Sequence, residues 1–242
     1  RAFSVSSLTL TLVFLAMSGV FFSMSQLMQL VMGYSALESS LLTIPLMLPM
    51  MFISPLVPSV VKKVGARTTI TVGLLLVTAA FLVMSTWTKD LTYWHLFGTM
   101  LVMMLGITFA MTPGTNILMA SVPRNRSGMG SAMNDTTREL GSALGVAVLG
   151  AVLSAAYEKN IAEAASHFTG SVKDALESSL AVAMAVAEKL GPAADSVTNA
   201  AMDAFMTGVS HAALVAAAII FVSAMIALFG LPKHSQKDDD TI

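Results

Sequence analysis

The 242-residue sequence contains no cysteine. Disulfide bridges, a thiolate nucleophile and a cysteine-held metal are therefore excluded. Charge is scarce too: Asp, Glu, Lys and Arg make up 11% of the residues, against about 25% in an ordinary soluble domain. With a net charge of −1 there is no basic surface for nucleic acid, and no acidic run beyond the short terminal "KDDDTI". His95, His167, His211 and His234 are scattered without paired or HExxH spacing, so no metal site is expected. There is no glycine-rich cofactor fingerprint and no G-x-S-x-G elbow; "GVSH" at 208–211 sets a serine beside a histidine, but neighbours on one helix point about 100° apart and make a poor dyad. The expectation is a protein that is not an enzyme and carries no cofactor. The chain opens "RAFSVSSLTL", with neither an initiator methionine nor a short cleavable signal, and reads as a fragment of something longer.

Apolar residues are what it has: 55% of the chain, at a mean hydropathy of +0.78. The class is all-α integral membrane protein. A span needs roughly 20 mostly apolar residues, and six stretches qualify, at about 4–32, 36–61, 68–87, 92–120, 129–157 and 205–230. Five of them lie in 1–157 and the last in 206–230, before a tail at 231–242. The long connection at 158–205, expected on the extracytoplasmic side, holds the apolar run "LAVAMAVA" at 180–187, which is too short to span and lies between Glu177 and Glu188. Within it Val172, Leu176, Leu180, Met184 and Ala187 recur every three or four residues, which predicts one amphipathic helix opened by a Ser171–Asp174 capping box and stopped by Gly191-Pro192. Lys62, Lys63, Arg67, Arg124, Arg126, Lys233 and Lys237, joined by Arg1, mark one side as cytoplasmic. The other side has Lys89, Lys159, Lys173 and Lys189, three of them in the long loop among seven carboxylates. Both ends are thus expected in the cytoplasm. Pro45, Pro49, Pro55 and Pro58 should kink or end the second span, and Pro113-Gly114 should break the fourth.

Two stretches carry a family resemblance. "QLMQLVMGYSALESSLLTIPLMLPMMFISPLVPSVVKKVGAR" has a Gln-bearing helix, a Gly-Tyr-Ser turn, a Pro-rich helix and a basic loop with glycine. "TPGTNILMASVPRNRSGMGSAMNDTTRELGSALGVAVLG" adds a Pro-Gly helix, a "VP" exit, a second basic loop and an R-E-L-G-x-A-L-G helix. Together they resemble the second half of major facilitator superfamily exporters, specifically the drug:proton antiporter-2 branch of fourteen-helix multidrug transporters. The likeness runs from about Gln26 to Tyr157. It implies six helices forming one lobe, the C-terminal half, of a two-lobed transporter of the bacterial cytoplasmic membrane. Such a transporter exchanges protons for amphiphilic, often cationic, drugs and so confers antibiotic resistance. The implied partners are the lipid bilayer, those substrates and a missing N-terminal lobe. The loop "KKVGAR" is a degenerate copy of the family's Gly/Asp/Arg-rich loop motif, lacking its acidic member.

The fifth span carries Asp135, Arg138 and Glu139 in "NDTTREL". If that helix enters the bilayer near Met129, its rise of about 1.5 Å per residue sets Asp135 roughly 9 Å deep and Arg138 roughly 14 Å deep. Insertion costs of about 2.5 to 3.5 kcal/mol for such side chains at a helix centre predict that they face a bundle interior or a wet cavity. Asp135 and Arg138, three apart, can pair, which leaves two acids sharing one base. A surplus negative charge sheltered from water favours holding a proton or a cation in turn. Asp135 or Glu139 is thus a candidate for exchanging a proton for a cationic substrate, with Arg138 holding the geometry. The alternative is a fixed Asp135–Arg138 pair, with Glu139 bonded to the missing lobe, all three serving packing. Gln26, Gln29, Asn116 and Asn134 are candidates for lining a substrate pocket or for interhelical bonding. Gly141-x-x-x-Gly145 is a helix-packing motif. Rival readings of the whole are a six-helix partner subunit that transports nothing, and a uniporter or symporter of the same superfamily for a small metabolite.

Overall fold

The structure, a computed structural model, describes residues 2–123, 127–189 and 194–232. Arg1, Arg124, Arg126, Lys233, Lys237, the Gly191-Pro192 stop and most of the 231–242 tail lie outside the described residues. The elements are α1 (Ala2–Gln26), continued by a π-helical turn at Leu27–Val31, α2 (Ala36–Ile53), a 3₁₀ turn at Ser54–Leu56, α3 (Val57–Val64), α4 (Ala66–Met84) and α5 (Tyr93–Ala120). They are followed by α6 (Ser127–Ala165), α7 (Ser171–Ser178), α8 (Leu180–Ala187) and α9 (Ala194–Gly230). Among the described residues there is no strand, and six segments are long and apolar enough to cross a membrane: α1 with its π turn, α2 with α3, α4, α5, α6 and α9.

Local chemistry sets the helix ends. Ser35 opens α2 with a reciprocal cap: its Oγ accepts from the Glu38 amide at 3.2 Å, and Glu38 accepts from the Ser35 amide at 2.8 Å. Gly65, at φ 86°, turns α3 into α4 and explains the glycine of "KKVGAR", since L side chains avoid that backbone region. The 3₁₀ turn that divides the second span begins at Ser54-Pro55, where a proline withholds its amide. The fourth span is not broken at Pro113-Gly114; α5 runs through both. Pro113 and Gly114 are buried there, and a Cβ on Gly114 would already touch Leu10 of α1, so the helix continues past its own breaker at a packed contact.

With little water to bury against, the helices associate through close backbone approach. Gly73 of α4 and Gly106 of α5 face each other, and a Cβ on either would lie 2.5–2.6 Å from the other's carbonyl oxygen. Gly208 of α9 meets the Leu153 carbonyl of α6 in the same way, at 2.7 Å. Buried hydroxyls mostly bond back along their own helix, as Thr78 to the Leu74 carbonyl and Thr108 to Met104. α1, α4, α5, α6 and α9 form the packed bundle, with α2 laid against α5.

The connection expected over 158–205 is shorter. α6 continues to Ala165 and α9 starts at Ala194, because their extensions are themselves buried: Ile161, Ala165, Val197 and Ala201 pack with Leu176, Leu180, Ala183 and Ala187. The single amphipathic helix is two. Ser179 is extended (φ −171°, ψ 159°) and accepts from the Val182 amide, so it ends α7 and caps α8. The Ser171–Asp174 box does not form; Gly170, at φ 62°, precedes α7 and its carbonyl takes the Asp174 amide. Breaking at Ser179 lets both short helices turn their apolar sides onto α6 and α9. Tyr157, buried, donates its hydroxyl to the Leu176 carbonyl at 2.9 Å and pins α7 to α6. Tyr157→Phe should cost about 1 to 3 kcal/mol by orphaning that carbonyl, read as faster amide exchange confined to α7 and α8.

Candidate functional site

The packing face of α6 decides where its charges stand. Thr137, Gly141, Gly145, Leu149 and Leu153 are buried, one every four residues. They form a seam against α1 with a constant offset: Thr137 shares a 3.0 Å hydroxyl–hydroxyl bond with Ser7, 130 residues away. A Cβ on Gly141 would lie 2.5 Å from the Thr11 carbonyl oxygen, one on Gly145 would overlap the Leu15 backbone, and Leu149 fills the space above Gly19. α1 and α6 therefore run parallel, side by side. At about 100° per residue, Asp135 and Glu139 then fall on the side of α6 opposite the seam.

Asp135, Arg138 and Glu139 are all exposed. Of the two surroundings expected for them, a bundle interior or a wet cavity, this bundle does not supply the first, because the small residues take that side. Nor do Asp135 and Arg138 pair: among the described residues the ion pairs are Lys89–Asp203, at 2.8 Å between half-exposed chains, and Lys173–Glu177. Arg138 instead lies over the ring of Phe14, 4.9 Å from its centroid, an attraction worth about 0.5 to 1 kcal/mol at an exposed site. The same seam fixes their height along the bundle. The seam's offset sets Asp135 about level with Val5, and Val5 packs against Gly230, where α9 ends. Asp135 thus stands near one end of the bundle, and Arg138 only roughly 5 Å further in. α6, with 39 residues, is far longer than a bilayer core, so its start is no marker of the membrane surface.

The candidate polar residues separate into two groups. Asn116 is exposed on α5 just past Gly114, which packs on Leu10, and so shares the end of the bundle that holds Asn134, Asp135, Arg138 and Glu139. Gln26 and Gln29 lie at the other end of α1. There a cleft of about 680 Å³ opens between α1, α2 and α5. Gln29 lines it and donates to Ser25 at 3.0 Å, while Gln26, Asn116 and Asn134 do not border it. Methionine is the commonest residue of its wall, with seven side chains, among them Met24, Met28 and Met100. Two participants were invisible in the sequence: Phe14, whose contact with Arg138 joins different helices, and Ser39 in the cleft. Thr137 could have been found, since it continues the four-residue spacing of Gly141 and Gly145.

Six apolar spans closed by small-residue seams, with charges on an outward face and an apolar cleft at the opposite end, define a multi-pass membrane protein of the transporter class. The Major Facilitator Superfamily profile matches residues 2–146, and the chain belongs to that family, whose members transport rather than catalyse. It is 31% identical over 225 residues to the multidrug efflux pump LfrA of Mycolicibacterium smegmatis, an overlap of 93% of this chain and 44% of that protein. The multidrug resistance protein Stp of Mycobacterium tuberculosis is 30% identical over 159 residues, 64% of this chain and 28% of its own length. The methyl viologen resistance protein SmvA of Salmonella typhimurium is 26% identical over 215 residues, 88% and 43% of the two chains. The chain spans less than half the length of these relatives.

Proposed function

We propose that this chain is the C-terminal half of a proton-coupled exporter of amphiphilic, cationic drugs in the bacterial cytoplasmic membrane, with both ends of the half in the cytoplasm. The observation that carries the reading is the pair of carboxylates, Asp135 and Glu139, exposed on the face of α6 turned away from its own bundle and without an ion-pair partner among the described residues. Acids facing lipid are disfavoured, so that face suits a water-filled path or the other lobe. One proton or one cation neutralises the local excess over Arg138, and neither tolerates the other there, which is the competition that antiport needs. The names of the relatives, two for multidrug efflux or resistance and one for resistance to methyl viologen, agree in kind. Lys62, Lys63 and Arg67 lie at the turn between α3 and α4, and the positive-inside tendency puts that turn in the cytoplasm. The neighbouring carboxylates are then close to the compartment from which substrate is drawn.

Proton release settles the coupling. Adding a quaternary aromatic cation to the full-length transporter, both lobes present, in weakly buffered detergent should liberate protons in a saturable way. Binding of the cation with no proton released would leave a uniporter, and no binding at all would remove the drug reading.

A further inference from the structure

A second cleft, of about 520 Å³, lies between α6 and α9 at the end of the bundle away from Asp135. Its origin is the length of α1. Carried outward, the seam's offset of 130 residues sets Asn160 level with Leu30, and α1 with its π turn stops at Val31. Beyond that level α1 no longer fills the groove, and the walls change character. α6 gives the cleft Asn160, Glu163 and His167, and α9 gives it Ser196, Asp203 and Thr207. Phe168, Val197 and three alanines make the apolar part of the wall.

Two carboxylates stand here against one lysine. Lys89, from the turn between α4 and α5, donates to Asp203 at 2.8 Å, and Glu163 has no ion-pair partner among the described residues, so with His167 neutral one negative charge is left over. Acceptors are left over too. Asn160 gives its amide to the Ala156 carbonyl at 2.7 Å and Thr207 its hydroxyl proton to the Asp203 carbonyl at 2.9 Å, which leaves the Asn160 Oδ1 and the Thr207 oxygen open. Their heights agree. α9 crosses α6 where Gly208 meets Leu153; counted from there at about 1.5 Å per residue, Asp203 lies roughly 8 Å, Asn160 roughly 11 Å and Glu163 roughly 15 Å further out. One molecule reaches all three.

An anion would meet two carboxylates. An inorganic ion fits no better, since among the described residues no three His, Asp or Glu side chains converge as metal ligands. An ammonium group on an apolar body supplies donors for the open acceptors, a charge for the surplus, and hydrocarbon for Phe168 and Val197. The volume is that of a pocket for a drug-sized molecule.

We infer that the cleft between α6 and α9 is a binding site for an organic ammonium ion, with Glu163 and Asp203 as counter-charges, Asn160 Oδ1 as an acceptor and Lys89 as a tethered competitor for Asp203. This goes beyond the exchange reading. Glu139 lies roughly 30 Å back along α6 from Asn160, so one small molecule cannot touch both, and binding in the cleft requires no proton transfer. Only the side rests on that reading: on the orientation proposed above, the ion arrives from outside the cell.

The test uses full-length transporter in lipid nanodiscs and an aryl diazirine bearing one benzylic primary ammonium, photolysed over a concentration series and mapped by peptide sequencing. Saturable labelling of 160–168 and 196–207 is expected, at least tenfold stronger than with the benzylic alcohol of the same shape. Glu163→Gln, at an exposed position, should raise the half-saturating concentration about fivefold by removing a charge-assisted hydrogen bond. Lys89→Gln should lower it about threefold by releasing Asp203, whereas a merely structural Lys89–Asp203 pair requires a rise. Ala200→Phe should raise it about tenfold by filling the cleft. An aminophospholipid headgroup carries the same ammonium, so nanodiscs with and without phosphatidylethanolamine separate the two sources: a headgroup occupant competes with the probe, and a soluble one leaves its half-saturation unmoved. Equal labelling by the alcohol, a rise in Lys89→Gln, or displacement by magnesium at the probe's own concentration overturns the inference. Proton release by the quaternary cation is independent of these results, so failure here leaves the antiport reading standing and its failure leaves the cleft standing.

Discussion

Asp135→Asn combined with Glu139→Gln, introduced into the full-length transporter, is expected to reduce proton-driven drug efflux to the background of empty cells while protein accumulates at its normal level. Both halves of that expectation come from geometry. The two side chains are exposed, on the face of α6 opposite its seam, and neither has an ion-pair partner among the described residues, so amides in their place break no ion pair among those residues. Exposed substitutions of this kind usually change stability by no more than about 0.5 kcal/mol. What the amides remove is the ability to trade a proton for a positive charge. Each single variant should keep part of the activity if the acids share one proton, and the double variant none. Drug accumulation in cells, with and without a collapsed proton gradient, is the measurement; full efflux by the double variant would show that the carboxylates serve only to meet the other lobe.

The second large effect is structural. Gly145→Leu should prevent the bundle from assembling, because even the first carbon of a side chain there would overlap the backbone of Leu15. Overpacking a well-filled core commonly costs about 1 to 3 kcal/mol when side chains can move aside, and here the obstacle is main chain, so the cost lies above that range. Gly150, five residues on, supplies the control: nothing lies within 4 Å of a Cβ there. Gly150→Ala should be neutral or gain up to about 1 kcal/mol from helix propensity alone. Fluorescence-detected size-exclusion of the two variants after heating separates them. Equal thermal midpoints would mean that α1 and α6 do not meet along this seam.

The six spans were legible because crossing a bilayer is a demand on each stretch of chain by itself. Transfer free energy sums over neighbouring residues, and the runs in α1, α4, α5 and α9 satisfy it without reference to one another. The same locality explains the misreadings. Pro113-Gly114 has the signature of a break, yet α5 continues through it where it packs on Leu10 of another helix. Ser171 has the signature of a cap, yet Gly170 precedes α7, and Ser179 divides what reads as one amphipathic period. The 158–205 connection looked long because the buried sides of Ile161, Ala165, Val197 and Ala201 are apolar only against α7 and α8.

The candidate site was legible as a set of residues and not as a place. Asp135, Arg138 and Glu139 stand out because charge is rare in such a chain, and no pattern within α6 says which way they face. Their direction follows from Gly141 and Gly145, whose spacing was readable, meeting Thr11 and Leu15, whose partnership was not. Arg138 resting on Phe14 in place of Asp135 depends on the same parallel contact.

By itself the sequence determined the class, the number of crossings and the family, since hydropathy, rare charges and motif order are properties of residues in line. The tertiary structure alone decided that the acids stand outside the bundle near one end of it, that Gln29 and Ser39 share a methionine-walled cleft near the other, and that roughly 12 to 30 Å of α1 separates them. Those are statements about pairs of residues on different helices, and which helices meet, at what offset, is set by backbone close approach at a few glycines, a quantity no local sum over side chains contains.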